Sequence, residues 1–580
     1  MYFLEQSTMS APLRKRTRLA KRAGVSRRLF LKGLGIGGGG AVMLAGCGSE
    51  NGPLQPTGNN INPSEAVGSC AASAGPTSLD AATFAHGVAT GDPTPSGMIF
   101  WTRVSGVSAP TPVTLEIYRD EALKQLDSTR CATASENRDY TVKIDVEGLQ
   151  PATTYWYVFK TGAAQSRTGR TRTAPAGDAQ AIRFGVVSCS SMAHGFFNAY
   201  AQLAKRKDID AILHLGDYIY EYGNGQYGDV RTYEPATEIV TLKDYRTRHG
   251  HYKKTDADLQ NLHALFPFVT IWDDHESTNN SYRDGAENHT EGEEGSWPQR
   301  KSWAQQAYDE WMPIRLPEAG NPSKIWRRLR YGNMLDIFML DTRLFDRDLE
   351  SSTPVNPVEG TARAEDRKLI GKQQMDWLTD GLKTSTSTWK VIGNQVVFHQ
   401  WSVKPGPDGK VPAPLQSLVG PSGLNGDAWD GYVAERKRIT AVLRGDNGGK
   451  KVNNTVILTG DVHSSWVADI TDDPNDPSVY NPLTGDGSLA VEFVGPSVTS
   501  PGLPIPQQAV DAFRVPNPHI KFINLQEHGY MLVTFTAQQA SCEYWYVSTI
   551  AEKGGTERLA KTFLVAVNTN RVAGAPGLSS

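Results

Sequence analysis

Several apolar runs in this 580-residue chain end in side chains that bind cations or move protons. The first such ending is Gly216-Asp217-Tyr218-Ile219-Tyr220. An Asp just past a buried apolar strand is costly unless it is paired or bound to a cation. Its two oxygens can bridge two metals, and a Tyr three residues on can reach the same point as a phenolate. Hard oxygen donors of this kind suit a trivalent or other hard cation. Read alone, the segment also fits a Gly-Asp turn with an N-cap Asp. The second ending is Trp272-Asp273-Asp274-His275-Glu276, four titratable side chains in a row. Packing gives no reason for them. A functional reading gives one Asp to a metal and His275 to the substrate, as an acid or an electrostatic stabiliser. In isolation the same cluster reads as a solvated acidic loop. The third is Gly460-Asp461-Val462-His463, where alternating Asp and His can aim at neighbouring ions. Asn394, after another apolar run, offers a neutral oxygen. The argument rests on recurrence, because random placement would scatter such residues.

The elements that must position them follow from the pattern. From Ala181 onward, short apolar strands alternate with helical stretches and stop in polar clusters. Residues 183–188 run into Cys189, 211–215 into Asp217, 268–272 into Asp274, 335–340 into Asp341-Thr342-Arg343, 389–392 into Asn394, and 456–459 into Asp461. This is an α/β pattern with chemistry at the carboxyl ends of buried strands, where open sheets bind ligands. The expected catalytic domain spans 181–550, with 551–580 as a C-terminal tail. Ahead of it, residues 79–176 read as short β-branched and aromatic strands without a helical period. The stretch 149–157 resembles the tyrosine corner of fibronectin-III-like sandwiches, so a small β-sandwich is expected there.

The N-terminus belongs to targeting rather than to the fold. Ser26-Arg27-Arg28-Leu29-Phe30-Leu31-Lys32 resembles a twin-arginine export signal, and the run 33–46 behind it is too short and Gly-rich to span a membrane. Leu44-Ala45-Gly46-Cys47 resembles a bacterial lipobox and implies a lipid anchor on Cys47; simple peptidase cleavage is the alternative. Residues 1–47 are thus signal and lipobox, and 48–78 a Gly/Asn/Pro/Ser-rich tether. The expected partner is the twin-arginine export machinery and the expected place the periplasm or cell surface. Removing residues 1–47 leaves 50 basic against 61 acidic residues, a net charge of −11. Such a body argues against nucleic-acid binding through bulk charge. An anionic substrate then needs a local positive site, which metal ions supply. The five Cys have no tight spacing, so no disulfide framework is expected.

Together, Ser188-Cys189, the 216–222 and 272–276 segments, Gly393-Asn394-Gln395 and the 458–464 segment resemble the calcineurin-like metallophosphoesterases, and within them the alkaline phosphatase D family. Gly87-Val88-Ala89-Thr90-Gly91-Asp92-Pro93 and Trp101-Thr102-Arg103 resemble that family's N-terminal domain. The likeness runs over roughly residues 80–550. It implies a metallophosphoesterase-type α/β sandwich core behind the β-sandwich, and hydrolysis of phosphate esters without a covalent Ser or Cys nucleophile. A metal-bound hydroxide is implied to attack phosphorus in line. As in purple acid phosphatases, a ferric ion (Fe3+) is implied to meet a Tyr, here with calcium (Ca2+) beside it. By motif position Asp217 bridges the metals, Tyr220 and His463 face the iron, and Asp274, Asn394 and Asp461 face the calcium. His275 is implied to steady the phosphoryl group or the leaving oxygen.

The sequence departs from the wider superfamily in three places. Cys189 stands where the first-strand Asp is usual, Asp274 where an Asn is usual, and Asp461 where a His is usual. The last two changes favour calcium or magnesium over zinc, and a Cys189 thiolate suits iron. Arg343 is a candidate to balance transition-state charge; a surface salt bridge is the alternative. Trp297, Trp303, Trp311, Tyr227 and Tyr233 either wall a pocket for an organic leaving group or belong to the core. Two rival functions stand beside the monoesterase: a phosphodiesterase or phospholipase D-type activity on the same metals, and a non-catalytic surface binding module.

Overall fold

Along the strand Leu335–Met339 and just past it, the side chains sort by parity. Ile337 and Met339 join one core, while Phe338 and Leu340 join another. Trp389–Gly393 repeats this with Val391 against Ile392, and Thr455–Thr459 with Val456 and Leu458 against Ile457. A two-residue period with both faces apolar marks strands buried on both sides. One face packs on the helices Gly371–Thr384 and Val433–Arg444; the former supplies Met375, Leu378 and Leu382 at helical spacing. The other face packs on a second large sheet, whose Phe184 and Val186 share a core with Val391, Val456 and Leu458.

The computed structural model describes residues 77–350, 361–401, 425–503 and 505–573. The seven-stranded sheet runs in the order Arg327–Tyr331, Leu335–Met339, Trp389–Gly393, Thr455–Thr459, Ala490–Val494, Ser465–Ile470, Ile520–Asn524. The second sheet has nine strands: Glu557–Ala566, Gln539–Val547, Gly529–Phe535, Ile182–Val187, Ala211–His214, Pro267–Thr270, Val88–Gly91, Gly97–Arg103, Thr141–Glu147. The helix Asn198–Leu203 covers the outer face of this sheet, where Gly185 leaves room for Leu203. The layering is helix, sheet, sheet, helix, as the α/β sandwich expectation has it.

The expected sandwich over 79–176 is present, with a difference. Val113, Leu115 and Ile117 of a six-stranded sheet pack on Phe100, Val142 and Ile144. The Gln150 N–H donates to the Tyr155 hydroxyl at 2.8 Å, the geometry of a tyrosine corner. Yet the facing strands do not form a sheet of their own. Val88–Gly91 pairs in parallel with Pro267–Thr270, Thr90 opposite Pro267 and Gly91 opposite Phe268. The sandwich and the catalytic core therefore share one sheet. Strand propensity read along the sequence cannot show a pairing across more than 170 residues.

Two further expectations need correction. Residues 551–580 are not simply a tail, since Glu557–Ala566 pairs antiparallel with Gln539–Val547 as the sheet's edge. Only Phe563 and Val565 of this strand are buried, too thin an alternation to read in advance. Cys131 is disulfide-bonded, whereas Cys189 and Cys542 are free buried thiols. The twin-arginine segment and Cys47 lie outside the described residues. Among those described, no helix is long and apolar enough to cross a membrane.

Candidate metal centre

Parallel pairing of Ile182–Val187 with Ala211–His214 brings their ends together. The Cys189 N–H donates to the Gly216 carbonyl at 3.1 Å, and the Ser190 N–H to the Asp217 carbonyl at 2.9 Å. Gly216 has φ +107°, and a Cβ there would lie 2.7 Å from the Asp273 nitrogen. Its lack of a side chain lets the 217 and 273 turns meet. Buried Glu276 ties the two turns together, accepting from the N–H groups of Asp217 (3.1 Å), Tyr218 (2.6 Å) and Asp273 (2.8 Å). The helix Leu242–Thr255, opened by a Thr241–Asp244 capping box, supports the same loops from outside. Its Tyr245 donates to the Ser277 carbonyl at 2.6 Å, and Arg248 donates to the Tyr220 carbonyl.

Cys189, Asp217, Asp461 and His463 have φ of +60°, +56°, +64° and +50°. Left-handed backbone at four non-glycine residues is strain, which concentrates at functional sites. The side chains of Cys189, Asp217 and His463 converge, while the Asp461 carboxylate accepts from Arg343 at 2.8 Å. Ligand atoms of Cys189, Asp217 and His463 lie within 4.8 Å of one another, and so do those of Asp217, Asp274 and His275. Asp217 belongs to both groups, where a bridging carboxylate must stand. Its Oδ2 accepts from the Tyr220 hydroxyl at 3.0 Å, while its Oδ1 is buried without a hydrogen-bond partner. Asp273 Oδ2 is orphaned in the same way. Buried acceptor atoms without donors fit a bound cation.

The charges argue likewise. Burial pushes the Asp217 carboxyl well above its ordinary range; His275 opposes this, and Asp273 and Asp274 reinforce it. Burial raises Asp461 to about 8 despite Arg343. Burial, then the Asp217 charge, pushes the Cys189 thiol and the Tyr220 hydroxyl up. Positive charge among these groups would ionise them. His463 is pulled down to about 3, by burial and then by His275, so it is neutral. Its Nδ1 lies 3.2 Å from the Pro501 carbonyl and its Nε2 3.4 Å from the Tyr220 hydroxyl. A proton held on Nδ1 leaves the Nε2 lone pair facing the cluster, as a metal ligand requires. His275 is the opposite case. Burial opposes its charge, but Asp274, Glu221 and Asp217 outweigh burial and raise it well above the ordinary range.

Asn394 is not brought in. Its Nδ2 donates to the Val396 carbonyl and to Thr459 Oγ1, and its Oδ1 accepts from Trp429 Nε1 at 3.1 Å. The amide is spent on the fold, so the expected calcium-side ligand is corrected to a structural residue. Arg343 is corrected as well. It is neither a surface residue nor open to substrate, being fully buried. It donates to Asp273, to Asp427 at 2.7 Å and to Asp461 at 2.8 Å, with Asp274 at 3.8 Å. Asp427 was missed because Gly423-Leu424-Asn425-Gly426-Asp427 reads as turn sequence and not as the end of an apolar run. Ser500 was missed too: its Oγ lies 2.6 Å from the Tyr220 oxygen and 3.0 Å from the Cys189 carbonyl. The aromatic alternatives divide. Trp297, Trp311 and Tyr233 are core, and Trp303 packs against it, half-buried. Half-buried Tyr227 stacks 5.5 Å from Tyr220 and 6.2 Å from His275.

The PhoD-like phosphatase family matches residues 184–544, and its N-terminal domain matches residues 69–175. Alkaline phosphatase D of Bacillus subtilis (strain 168) is 35% identical over 498 residues, covering 83% of this chain and 80% of that protein. A solved structure of PhoD superposes with a TM-score of 0.75 at 33% identity, covering 86% of this chain and 92% of the other. With a two-sided carboxylate, thiol, phenol and imidazole cluster at its strand ends, this chain belongs to the PhoD-like phosphatase family and is a phosphoric ester hydrolase.

Proposed function

We propose that the chain is an exported phosphoesterase that hydrolyses phosphate monoesters, diesters or both with the help of bound iron and calcium. The observation that carries this reading is Asp217, which stands with Cys189 and His463 on one side and Asp274 on the other and holds one buried oxygen without a partner. Cys189, Tyr220 and His463 would hold the iron on one side of it, a donor set of thiolate, phenolate and imidazole. Asp274 and Asp461 would hold the calcium on the other, where carboxylates suit a hard cation. Bound ions supply Lewis acidity and water of lowered pKa.

The chain's own residues do the rest. His275 carries a proton, with Nδ1 2.7 Å from Glu221 Oε2. Its Nε2 then faces the substrate as a donor to the phosphoryl or leaving oxygen. Tyr222 and Tyr227, 4.8 Å apart, stand beside His275 as an aromatic wall for an organic leaving group. Arg343 holds Asp273, Asp427 and Asp461 in place.

Export rests on the sequence alone, through the twin arginines Arg27 and Arg28 and the lipobox ending in Cys47. Arg27→Lys with Arg28→Lys should strand activity in the cytosol, and Cys47→Ser should release it from the membrane fraction. For the chemistry, the test is metal analysis together with rates on a monoester and a diester of one phenol. Iron and calcium near stoichiometry with hydrolysis of either ester is the expected result. Full activity in a preparation lacking both metals would sink the assignment.

A further inference from the structure

The short turn Met192–His194 follows the strand end at Cys189 and carries His194 to the edge of the cluster. The Val230 N–H donates to the Ala193 carbonyl at 2.8 Å, and a Cβ on Gly228 would lie 2.7 Å from the same oxygen. The loop after Tyr227 is therefore packed closely on this turn. It sets the Tyr227 and His194 rings 4.4 Å apart, edge to face. Tyr227 also stacks on His275, so two histidines share one tyrosine. His194 is close enough to His463 to bear on its charge.

The hydrogen bonds of His194 fix where its proton sits. Tyr233 is buried, and burial holds its phenol protonated. A buried phenol needs an acceptor for that proton, and Ser191 Oγ lies 3.0 Å away. The neighbouring Tyr252 oxygen already accepts from the Met192 N–H at 3.1 Å. With the Tyr233 proton on its oxygen, Ser191 gives its own to His194 Nδ1, at 2.9 Å. Burial, then His528, lowers His194 to about 4, so the ring is neutral at working pH. Its one proton is then on Nε2. That N–H has no hydrogen-bond partner among the described residues, and the side chain is half-buried rather than sealed. Packing on Tyr227 accounts for the ring but not for a proton directed to the unpaired nitrogen. A spare donor beside a phosphoesterase centre is matched by the substrate, whose charged oxygens make strong acceptors.

We propose that His194 is a further substrate-binding residue, whose Nε2–H donates to one oxygen of the phosphate ester while His275 holds another. The inference rests on the cluster being where the ester binds. Two variants test it. His194→Asn keeps an acceptor for Ser191 but has nothing at the Nε2 position, whereas His194→Gln places a neutral N–H near it. Both are assayed with their metal content measured. With iron and calcium unchanged, His194→Asn should lower kcat/KM for a monoester about 10- to 100-fold, the cost of one hydrogen bond to a charged group. It should weaken inhibition by inorganic phosphate about tenfold, and His194→Gln should restore most of both losses. A kcat/KM within about twofold of wild type in the Asn variant overturns the assignment. So does a Gln variant no better than Asn, or activity that falls only in proportion to lost iron, which would make His194 a support of the cluster. Full wild-type activity without metals is a separate failure, of the metal assignment and not of His194.

Discussion

His275 Nδ1 and Glu221 Oε2 lie 2.7 Å apart, and Glu221 is wholly buried. Glu221 also accepts from the Asn279 N–H at 2.8 Å, so it is fixed before it fixes the histidine. Glu221→Gln should keep the metals and lower turnover by about 10- to 100-fold, the usual cost of losing an orienting partner. The sign of the pH effect follows. A carboxylate raises the pH at which His275 loses its proton, so without it the alkaline fall in activity moves to lower pH. A rate–pH profile that keeps its alkaline limb in place would remove Glu221 from the mechanism.

Asp217→Ala should abolish hydrolysis and lower both metals together, because the residue belongs to both groups. Folding should survive, and circular dichroism with metal analysis reads both outcomes. Loss of one metal alone would refute the bridging position.

Cys189→Ser should lower iron content while leaving calcium near wild type, since the thiol groups with Asp217 and His463 and not with Asp274. Iron unchanged in the variant would make Cys189 a buried core thiol and nothing more.

Arg343→Met removes the cation among Asp273, Asp274, Asp427 and Asp461. Breaking a buried charge arrangement by taking one partner costs about 3–5 kcal/mol, and chemical denaturation should show a loss of that order. Arg343→Lys keeps the charge but not the fork, so it should recover only part of the loss. A loss under about 1 kcal/mol in the Met variant is a surface-substitution effect and would contradict this role.

Lys253 provides a pH test away from the metals. It is 2% exposed, donates to the Tyr218 hydroxyl at 2.9 Å, and has no carboxylate within 4 Å among the described residues. Burial lowers it from 10.5 to about 7. Between those values the unfolded chain binds one proton more than the folded chain, so stability rises with pH across that window and is flat in this term below about 7. Lys253→Met should remove the rise and be the more stable protein near neutrality. Urea midpoints at several pH values decide it, and an unchanged slope in the variant would disprove the assignment.

Much of the centre was legible because it sits where buried strands stop. Asp217, Asp274, Asp461 and His463 each follow an apolar run, and burying them without a purpose would be costly. What a strand end does not reveal is which way its last side chains turn. Asn394 follows its strand as Asp461 follows its own, yet it points into Thr459 and Trp429. Arg343 was expected at the transition state or in a surface salt bridge because a lone Arg after a strand does not show its partners, and only the four acids around it make its burial tolerable. Asp427 and Ser500 come from loops, where local pattern carries no spacing to read. The shared sheet was hidden for a related reason, since pairing between distant strands leaves no local mark.

That shared sheet has a consequence for when the enzyme comes into being. The strand leading to Cys189 is flanked by Gly529–Phe535 from late in the chain, and the sheet's far side is closed by strands from residues 88–147. A chain still leaving the ribosome holds Asp217 and Asp274 long before it holds the strand that completes their support. The candidate centre is thus assembled last, and a fragment lacking residues 88–147 or Gly529–Phe535 would leave Asp217 and Asp274 on an unfinished sheet.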